Sequence, residues 1–249
     1  MSGHSKWATI KRKKAATDQA RGKLFSKFIK EITIAARHGG GDLEANPRLR
    51  SAINAAKAVN MPAGNIERAV KRGTGEVAGA LYEEAQYEGY GPGGVALLVE
   101  VATDNRNRTA GDVRHIFTKH GGSLGEAGSV SYLFKPRGLI VIDKGAIDED
   151  ALMEIALEAG ADDVHTDSDP WEVLTPQGAL EAVKEALAKH KITPLSAEVT
   201  KLSSLQVPVS EKEAEAVLRL VDALEDHDDV QKVYSNFSVS DEVMAKLSR

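Results

Sequence analysis

The residues of this sequence best suited to chemistry are the lysines and arginines near its beginning. Residues 1–75 carry 16 Lys and Arg against 5 Asp and Glu, a net charge of +11, whereas residues 76–249 carry 16 against 32, a net charge of −16. Guanidinium groups bind phosphate through two parallel hydrogen bonds, and ammonium groups bind it as mobile point charges. This asymmetry therefore indicates a polyanion-binding part joined to an acidic part. The alternative is that these basic residues form a solvated helix face that binds no ligand. Such a face ordinarily carries both positive and negative charges.

Two groups of residues are the candidates for binding phosphate. The first group is predicted to bind nucleic acid and comprises Lys6, Trp7, Lys11, Arg12, Lys13, Lys14, Arg21, Lys23, Lys27, Lys30, Arg48, Arg50, Arg68, Lys71 and Arg72. The second is a smaller basic patch that comprises Arg106, Arg108, Arg114 and Lys119. Trp7 is suited equally to stacking on a base and to anchoring the basic segment onto neighbouring helices. We expect these groups to neutralise phosphates, with Arg106 and Arg108 as a second contact.

Residues 47–72 also fit a helix-turn-helix, with Asn60 to Gly64 as the turn. In that geometry the first residues of the second helix contact base edges, and of these only Asn65 is a good base reader. Arg68, Lys71 and Arg72 fall at the far end of this helix, where they are suited to binding phosphate. The pattern therefore predicts binding to a backbone or a shape with little base readout. Duplex DNA and structured RNA both remain open.

Three helices must position the first group. Apolar residues recur at helical spacing from Lys23 to Arg37, and a run of three glycines then stops the helix. A second helix is predicted to begin at Asn46-Pro47, with Asn as the cap, and a third at Pro62. Lys23, Lys27 and Lys30 fall on another face of the first helix and are expected to be exposed if the apolar stripe is buried. The prediction is a basic three-helix domain over residues 1–78, beginning with a loose arm.

The rest of the chain predicts an α+β protein of two further domains. Strands are expected within residues 81–103, followed by a polar loop at Asp104 to Arg108 and a helix. A β-α-β-β-α-β series then predicts a ferredoxin-like domain over residues 136–203. The last helix, capped by Ser210 and Glu213, and the last strand cannot close a core alone. We therefore expect them to complete the earlier sheet, giving a discontinuous domain of residues 79–135 and 204–249 with the ferredoxin-like domain inserted.

Composition and motifs argue against an enzyme. The chain has no cysteine, which excludes disulfides, thiolate zinc sites, iron–sulfur clusters and cysteine nucleophiles. Gly89, Gly91 and Gly94 match a dinucleotide fingerprint by letter, but a strand is predicted where that motif needs a helix. His115 and His120 do not share a helix face as zinc ligands would. We expect no metal and no cofactor. The remaining enzymatic alternative is a metal-dependent hydrolase that uses the acidic face of the ferredoxin-like domain.

The sequence also predicts where the protein acts. Its longest apolar run is about five residues, far below the roughly 20 that a membrane helix needs. The N-terminus is polar and basic, which excludes a secretory signal peptide. We therefore expect a cytoplasmic protein with no membrane partner.

Four stretches carry a family resemblance: GHSKWATIKRKKAATDQARGKLFSK at 3–27, GGGDLEANPRLRSAI at 39–53, TDNRNRTAGDVRHIFTKHGG at 103–122 and GSVSYLF at 128–134. In these the chain resembles the YebC-like family. The resemblance implies three domains, DNA-binding transcription regulation in bacteria, translational activation in mitochondrial relatives, and relief of ribosome stalling in some bacterial members, without catalysis. Its basic motif falls on Lys6, Trp7, Lys11 to Lys14, Arg21, Lys23, Asn46, Arg48 and Arg50. Its loop motif falls on Asp104 to Thr109.

Together these features predict a non-enzymatic regulator of gene expression that binds nucleic acid through its N-terminal domain. The first hypothesis is a DNA-binding transcriptional regulator. The alternative is an RNA-binding translation factor on the ribosome, which would contact ribosomal RNA. The acidic domains are expected to be kept off the polyanion and left free for a protein partner.

Overall fold

A computed structural model describes residues 18–167, 169–240, 242–243 and 246, with the backbone alone for residues 18–21. They form two compact units. We call residues 18–129 and 215–233 the helix–sheet unit, and residues 130–214 with the described residues from 234 onward the ferredoxin-like unit. Within these described ranges, no helix is both long and apolar enough to cross a membrane.

The helix–sheet unit begins with the three predicted helices. They are α1 (Asp18–Gly39), α2 (Pro47–Ala58) and α3 (Ala63–Gly73). The predicted cap of α2 is confirmed, because the Asn46 side chain accepts a hydrogen bond from the Leu49 N–H at 3.0 Å. The Asn46 amide also donates to the carbonyl oxygens of Ala35 and Gly40, both at 2.8 Å. This one buried side chain therefore joins the end of α1 to the start of α2.

The second half of α1 is buried on more than its apolar stripe. Ile32 belongs to the predicted stripe and is buried, but Lys30, Thr33 and Ile34 are buried as well. A Cβ on Gly73 would overlap the carbonyl oxygen of Thr33, so α3 ends in direct contact with the α1 backbone. The other side of α1 is covered by the turn at residues 225–229. The helix is therefore enclosed between two layers.

A four-stranded sheet completes this unit. Its strands are β1 (Glu83–Tyr90), β2 (Ala96–Thr103), β3 (Ser123–Leu124) and β9 (Val230–Ser235), in the order β3-β1-β2-β9. β1 and β2 are antiparallel, with Glu83 opposite Thr103. The predicted return of the C-terminal strand to the earlier sheet is therefore confirmed.

Helix α4 (Arg106–Lys119) follows β2. The predicted loop at Asp104 to Arg108 is wrong, because the helix already begins at Arg106. The Asn105 side chain caps this helix by accepting a hydrogen bond from the Arg108 N–H at 3.1 Å.

The ferredoxin-like unit contains the predicted β-α-β-β-α-β series. The elements are β4 (Phe134–Ile142), α5 (Glu149–Glu158), β5 (Asp163–His165), β6 (Trp171–Thr175), α6 (Leu180–Lys189) and β7 (Ser196–Ser203). The sheet order β5-β6-β4-β7 is antiparallel throughout, and the predicted fold class is confirmed. β4 is one continuous strand. Lys135, Pro136 and Arg137 interrupt the apolar pattern there, but pairing with β7 continues across them.

The C-terminal elements are α7 (Glu211–Glu225), β9 and two short parallel strands, β8 (Val207–Pro208) and β10 (Phe237–Ser238). The predicted capping box at α7 is confirmed, because Ser210 donates its backbone N–H to the Glu213 carboxylate at 2.9 Å and accepts from the Glu213 N–H at 3.4 Å. The turn between α7 and β9 holds the acidic residues that matter for the site. The three-domain boundaries at 78, 136 and 203 stay a prediction.

Candidate nucleic-acid interface

The most basic segment of the chain lies outside the described residues. This applies to Lys6, Trp7, Lys11, Arg12, Lys13 and Lys14, and to the side chain of Arg21. Their predicted contact with phosphate stays a prediction.

Three lysines of α1 contact one acidic turn, residues 225–229, which we call the acidic turn. Lys23 forms an ion pair with Asp226. Lys27 donates to the carbonyl oxygen of Glu225 at 2.8 Å, and Lys30 donates to that of Asp228 at 2.9 Å. Because these lysines are spaced at i, i+4 and i+7, they lie on one face of the helix. That face, predicted to bind phosphate, is bound to the protein's own acidic turn.

Asp229 is the centre of this contact. Its side chain is 6% exposed and accepts from Lys30 Nζ at 2.6 Å through one oxygen. The other oxygen accepts from the hydroxyls of Thr109 at 2.7 Å and Thr103 at 3.1 Å and from Arg108 Nη2 at 2.8 Å. Burial alone would raise the pKa of Asp229, but the hydrogen bonds from Lys30, Thr109 and Arg108 outweigh it and hold the pKa well below its usual range. The carboxylate is therefore charged, and it accepts hydrogen bonds from four side chains.

The depressed pKa predicts a loss of stability in acid. A carboxylate with a lower pKa in the folded state contributes stability above its unfolded value of 3.8, and that contribution is lost as pH falls below 3.8 toward the folded pKa. We expect the difference in free energy of unfolding between wild type and Asp229→Asn to narrow as pH falls from 5 toward 2. Urea unfolding at several pH values measures it. A difference that stays constant over this range would contradict the assignment.

One expectation from the sequence is corrected by this contact. Lys30 was expected to be exposed, but it is 8% exposed, pairs with Asp229 and lies 5.5 Å from the centre of the Tyr82 ring. The physical reason is that a lysine on a polar helix face can be buried when a carboxylate is buried with it.

The arginines of α2 are also engaged within the protein. Arg48 bridges Glu31 and Glu84, with nitrogen–oxygen distances of 2.8 and 2.7 Å. The hydrogen bonds that Arg48 donates to these two carboxylates raise its pKa above the ordinary value, and the bond to Glu84 lowers the pKa of that carboxyl. Arg50 donates to the carbonyl oxygen of Leu43 at 3.0 Å and remains exposed. Arg48 therefore connects α1 to β1 rather than standing free.

Helix α3 presents basic side chains to solvent. Arg68 and Lys71 are exposed, and neither side chain makes a hydrogen bond or ion pair with any residue that the structure describes. Arg72 is half-buried, packs against Gly79, and its Nε has no partner among the same residues. Asn65, the one candidate base reader, is partly exposed. The predicted contact of Arg68, Lys71 and Arg72 with phosphate stays a prediction.

Helix α4 carries the second basic patch. Arg106, Arg108, Arg114 and Lys119 are all exposed. Arg108 also holds Asp104 at 2.9 Å in addition to Asp229. Side-chain ion pairs to Arg114 and Lys119 are absent across the described ranges.

Sequence reasoning missed Thr103 and Asp229, which together with Thr109 join the sheet, α4 and the acidic turn. Thr103 and Thr109 lie within the TDNRNRT stretch, which was noticed for its arginines. Asp229 had no signal, because its position beside Lys30 depends on a contact between distant segments. Among the described residues there is no group of three or more His, Asp or Glu placed to hold a metal ion.

The fold and these surfaces define a helical module with exposed basic side chains, built onto a four-stranded sheet and followed by a ferredoxin-like sheet. The sequence matches the TACO1/YebC protein N-terminal domain over residues 5–76 and the TACO1/YebC second and third domain over residues 82–237. The chain belongs to the TACO1/YebC family, as its resemblance predicted.

Full-length relatives support this assignment. A probable transcriptional regulatory protein of Dictyoglomus turgidum is 57% identical over the whole of both chains. Another of that name, from Desulfatibacillum aliphaticivorans, is 59% identical over 99% of this chain and 100% of the relative. The crystal structure of a conserved hypothetical protein from Aquifex aeolicus matches with a TM-score of 0.80 at 48% identity, covering 91% of this chain and 94% of that one.

Proposed function

We propose that this protein is a cytoplasmic, non-enzymatic regulator of gene expression that binds nucleic acid through its phosphates. The observation that carries the proposal is the charge of residues 1–75, 16 basic against 5 acidic. Arg68 and Lys71 on α3 and Arg114 and Lys119 on α4 support it, because they are exposed basic residues. Such side chains suit phosphate, which contributes most of the affinity of nucleic-acid-binding proteins.

The target of this binding is proposed to be duplex DNA, in keeping with the names of the relatives, which are probable transcriptional regulatory proteins. One observation favours the alternative, an RNA-binding translation factor on the ribosome. The exposed basic side chains lie on helices that offer Asn65 as their main base reader, and such a surface suits recognition of a backbone or a shape. The acidic side chains of the ferredoxin-like unit are proposed to meet a protein partner.

Co-sedimentation with ribosomes, beside a titration of random-sequence duplex DNA at the same near-physiological salt, tests both candidates. A DNA-binding regulator is expected to bind duplexes and stay in the supernatant. Sedimentation with ribosomes in salt that abolishes DNA binding would make translation the function. A protein that binds neither would contradict the proposal as a whole.

A further inference from the structure

The exposed face of α4 has an unusual composition. Taking 100° per residue, Asn107, Arg114, His115 and Thr118 lie within roughly 60° of Gly111 around the helix, with Arg108 and Lys119 at the edge of this face. All seven are exposed, while the opposite face buries Thr109, Val113 and Phe117. The face includes three positive charges and no carboxylate. The one acid within α4, Asp112, lies to the side and faces His227 at 3.3 Å.

Gly111 lies at the middle of this face. A Cβ at this position would meet no atom of the described residues within 4 Å, and the glycine does not have a positive φ. Neither packing nor backbone geometry therefore requires glycine here. Glycine is the least favourable residue in a helix interior after proline, so alanine at this position would give a more stable helix. The sequence gives up helix stability at the centre of a basic helix face.

We propose that this face of α4 lies directly against the sugar–phosphate backbone of the bound nucleic acid, and that Gly111 is the point of closest approach. The inference rests on the function proposed above and specifies its contact surface. Without a side chain at 111, the backbone of α4 comes closer to the ligand than any other helical residue would permit. Arg108 and Arg114 then lie on either side of the approaching strand, with Lys119 one turn further along. A phosphodiester fits this arrangement because Arg114 and Lys119 have no ion pair within the described residues, and Arg108 stays exposed beside its partners Asp104 and Asp229.

Gly111→Leu and Gly111→Ala in the full-length protein test the inference, with Ala188→Leu as the matched control. Ala188 is an exposed helix residue of the ferredoxin-like unit, so this control adds apolar bulk away from α4. The probes are a random-sequence duplex DNA and an RNA hairpin, each titrated at several salt concentrations. Using both distinguishes a DNA backbone from an RNA backbone.

Gly111→Leu is expected to weaken binding about tenfold and to make the slope of log affinity against log salt less negative by about 2 to 3, because the three basic residues of the face lose their phosphates. Both substitutions at 111 are expected to raise Tm, which separates the effect from misfolding. Ala188→Leu is expected to bind like wild type.

Three results would overturn the inference alone: unchanged affinity and salt slope in Gly111→Leu, an equal loss in Ala188→Leu, or a lowered Tm in Gly111→Ala. A wild type that binds neither probe overturns the proposed function, and this inference with it.

Discussion

Replacing Asp229 with alanine is expected to lower the free energy of unfolding by about 3–5 kcal/mol. The substitution removes the charged partner of Lys30, which is 8% exposed, and leaves a buried ammonium group without a counter-ion. It also removes the acceptor for the hydroxyls of Thr103 and Thr109. Urea unfolding of the full-length protein at pH 7, followed by circular dichroism, measures the change.

Lys23→Ala is the matched control for this experiment. It removes a second ion pair between α1 and the acidic turn, but Asp226 is largely exposed, so its loss is expected to cost less than about 1 kcal/mol. Asp229→Asn keeps the shape of the side chain without its charge and is expected to fall between the two. If Asp229→Ala were no more destabilising than Lys23→Ala, Lys30 would not depend on this carboxylate.

Replacing Lys11, Arg12, Lys13 and Lys14 together with alanine is expected to reduce affinity for random duplex DNA roughly a hundred- to a thousandfold at near-physiological salt. Four fewer neutralised phosphates should also make the slope of log affinity against log salt less negative by about 3.6. The loss is expected to be similar for every duplex sequence, because lysine and arginine contacts to phosphate carry no sequence information. Fluorescence anisotropy with several duplexes over a range of salt measures both quantities.

A variant with the same change in net charge separates local contacts from overall charge. Lys144, Lys184, Lys189 and Lys212 lie in the ferredoxin-like unit, and replacing all four with alanine also removes four positive charges. This control is expected to change the salt slope by less than about 1. Equal losses in the two variants would point to overall charge. A loss confined to one duplex sequence would show base readout instead.

Much of the fold could be predicted because its signals are local. Asn46 and Pro47 predict the start of α2, and Ser210 and Glu213 predict the start of α7. In both cases the signal lies within a few residues of the helix start. The alternation of elements between β4 and β7 permits few topologies, since connections are short and consecutive elements are neighbours. The return of β9 followed from a packing requirement, because one helix and one strand cannot bury their apolar faces alone.

The site was less predictable because its main contact joins distant residues. Helical periodicity shows which face of α1 is apolar, but it does not show that the acidic turn covers another face. Lys30 therefore seemed to be a solvent-facing residue. The start of α4 was missed for a different reason. Residues 104–108 contain no apolar residue to show a helical period, so only the cap at Asn105 could have indicated it.

The contact between Lys30 and Asp229 also fixes the order in which the chain can fold during its own synthesis. The two residues are 199 positions apart. At ~5–20 residues per second, Asp229 is added roughly 10–40 s after Lys30. The segment from β4 to β7 is continuous in sequence and is complete before either Asp229 or β9 exists. The inserted sheet can therefore fold before the unit that it interrupts is complete. Until the acidic turn has been synthesised, the three lysines of a nascent α1 lack the carboxylates and carbonyl oxygens that bind them in the folded protein. During that time they lie close to the ribosome that makes the chain.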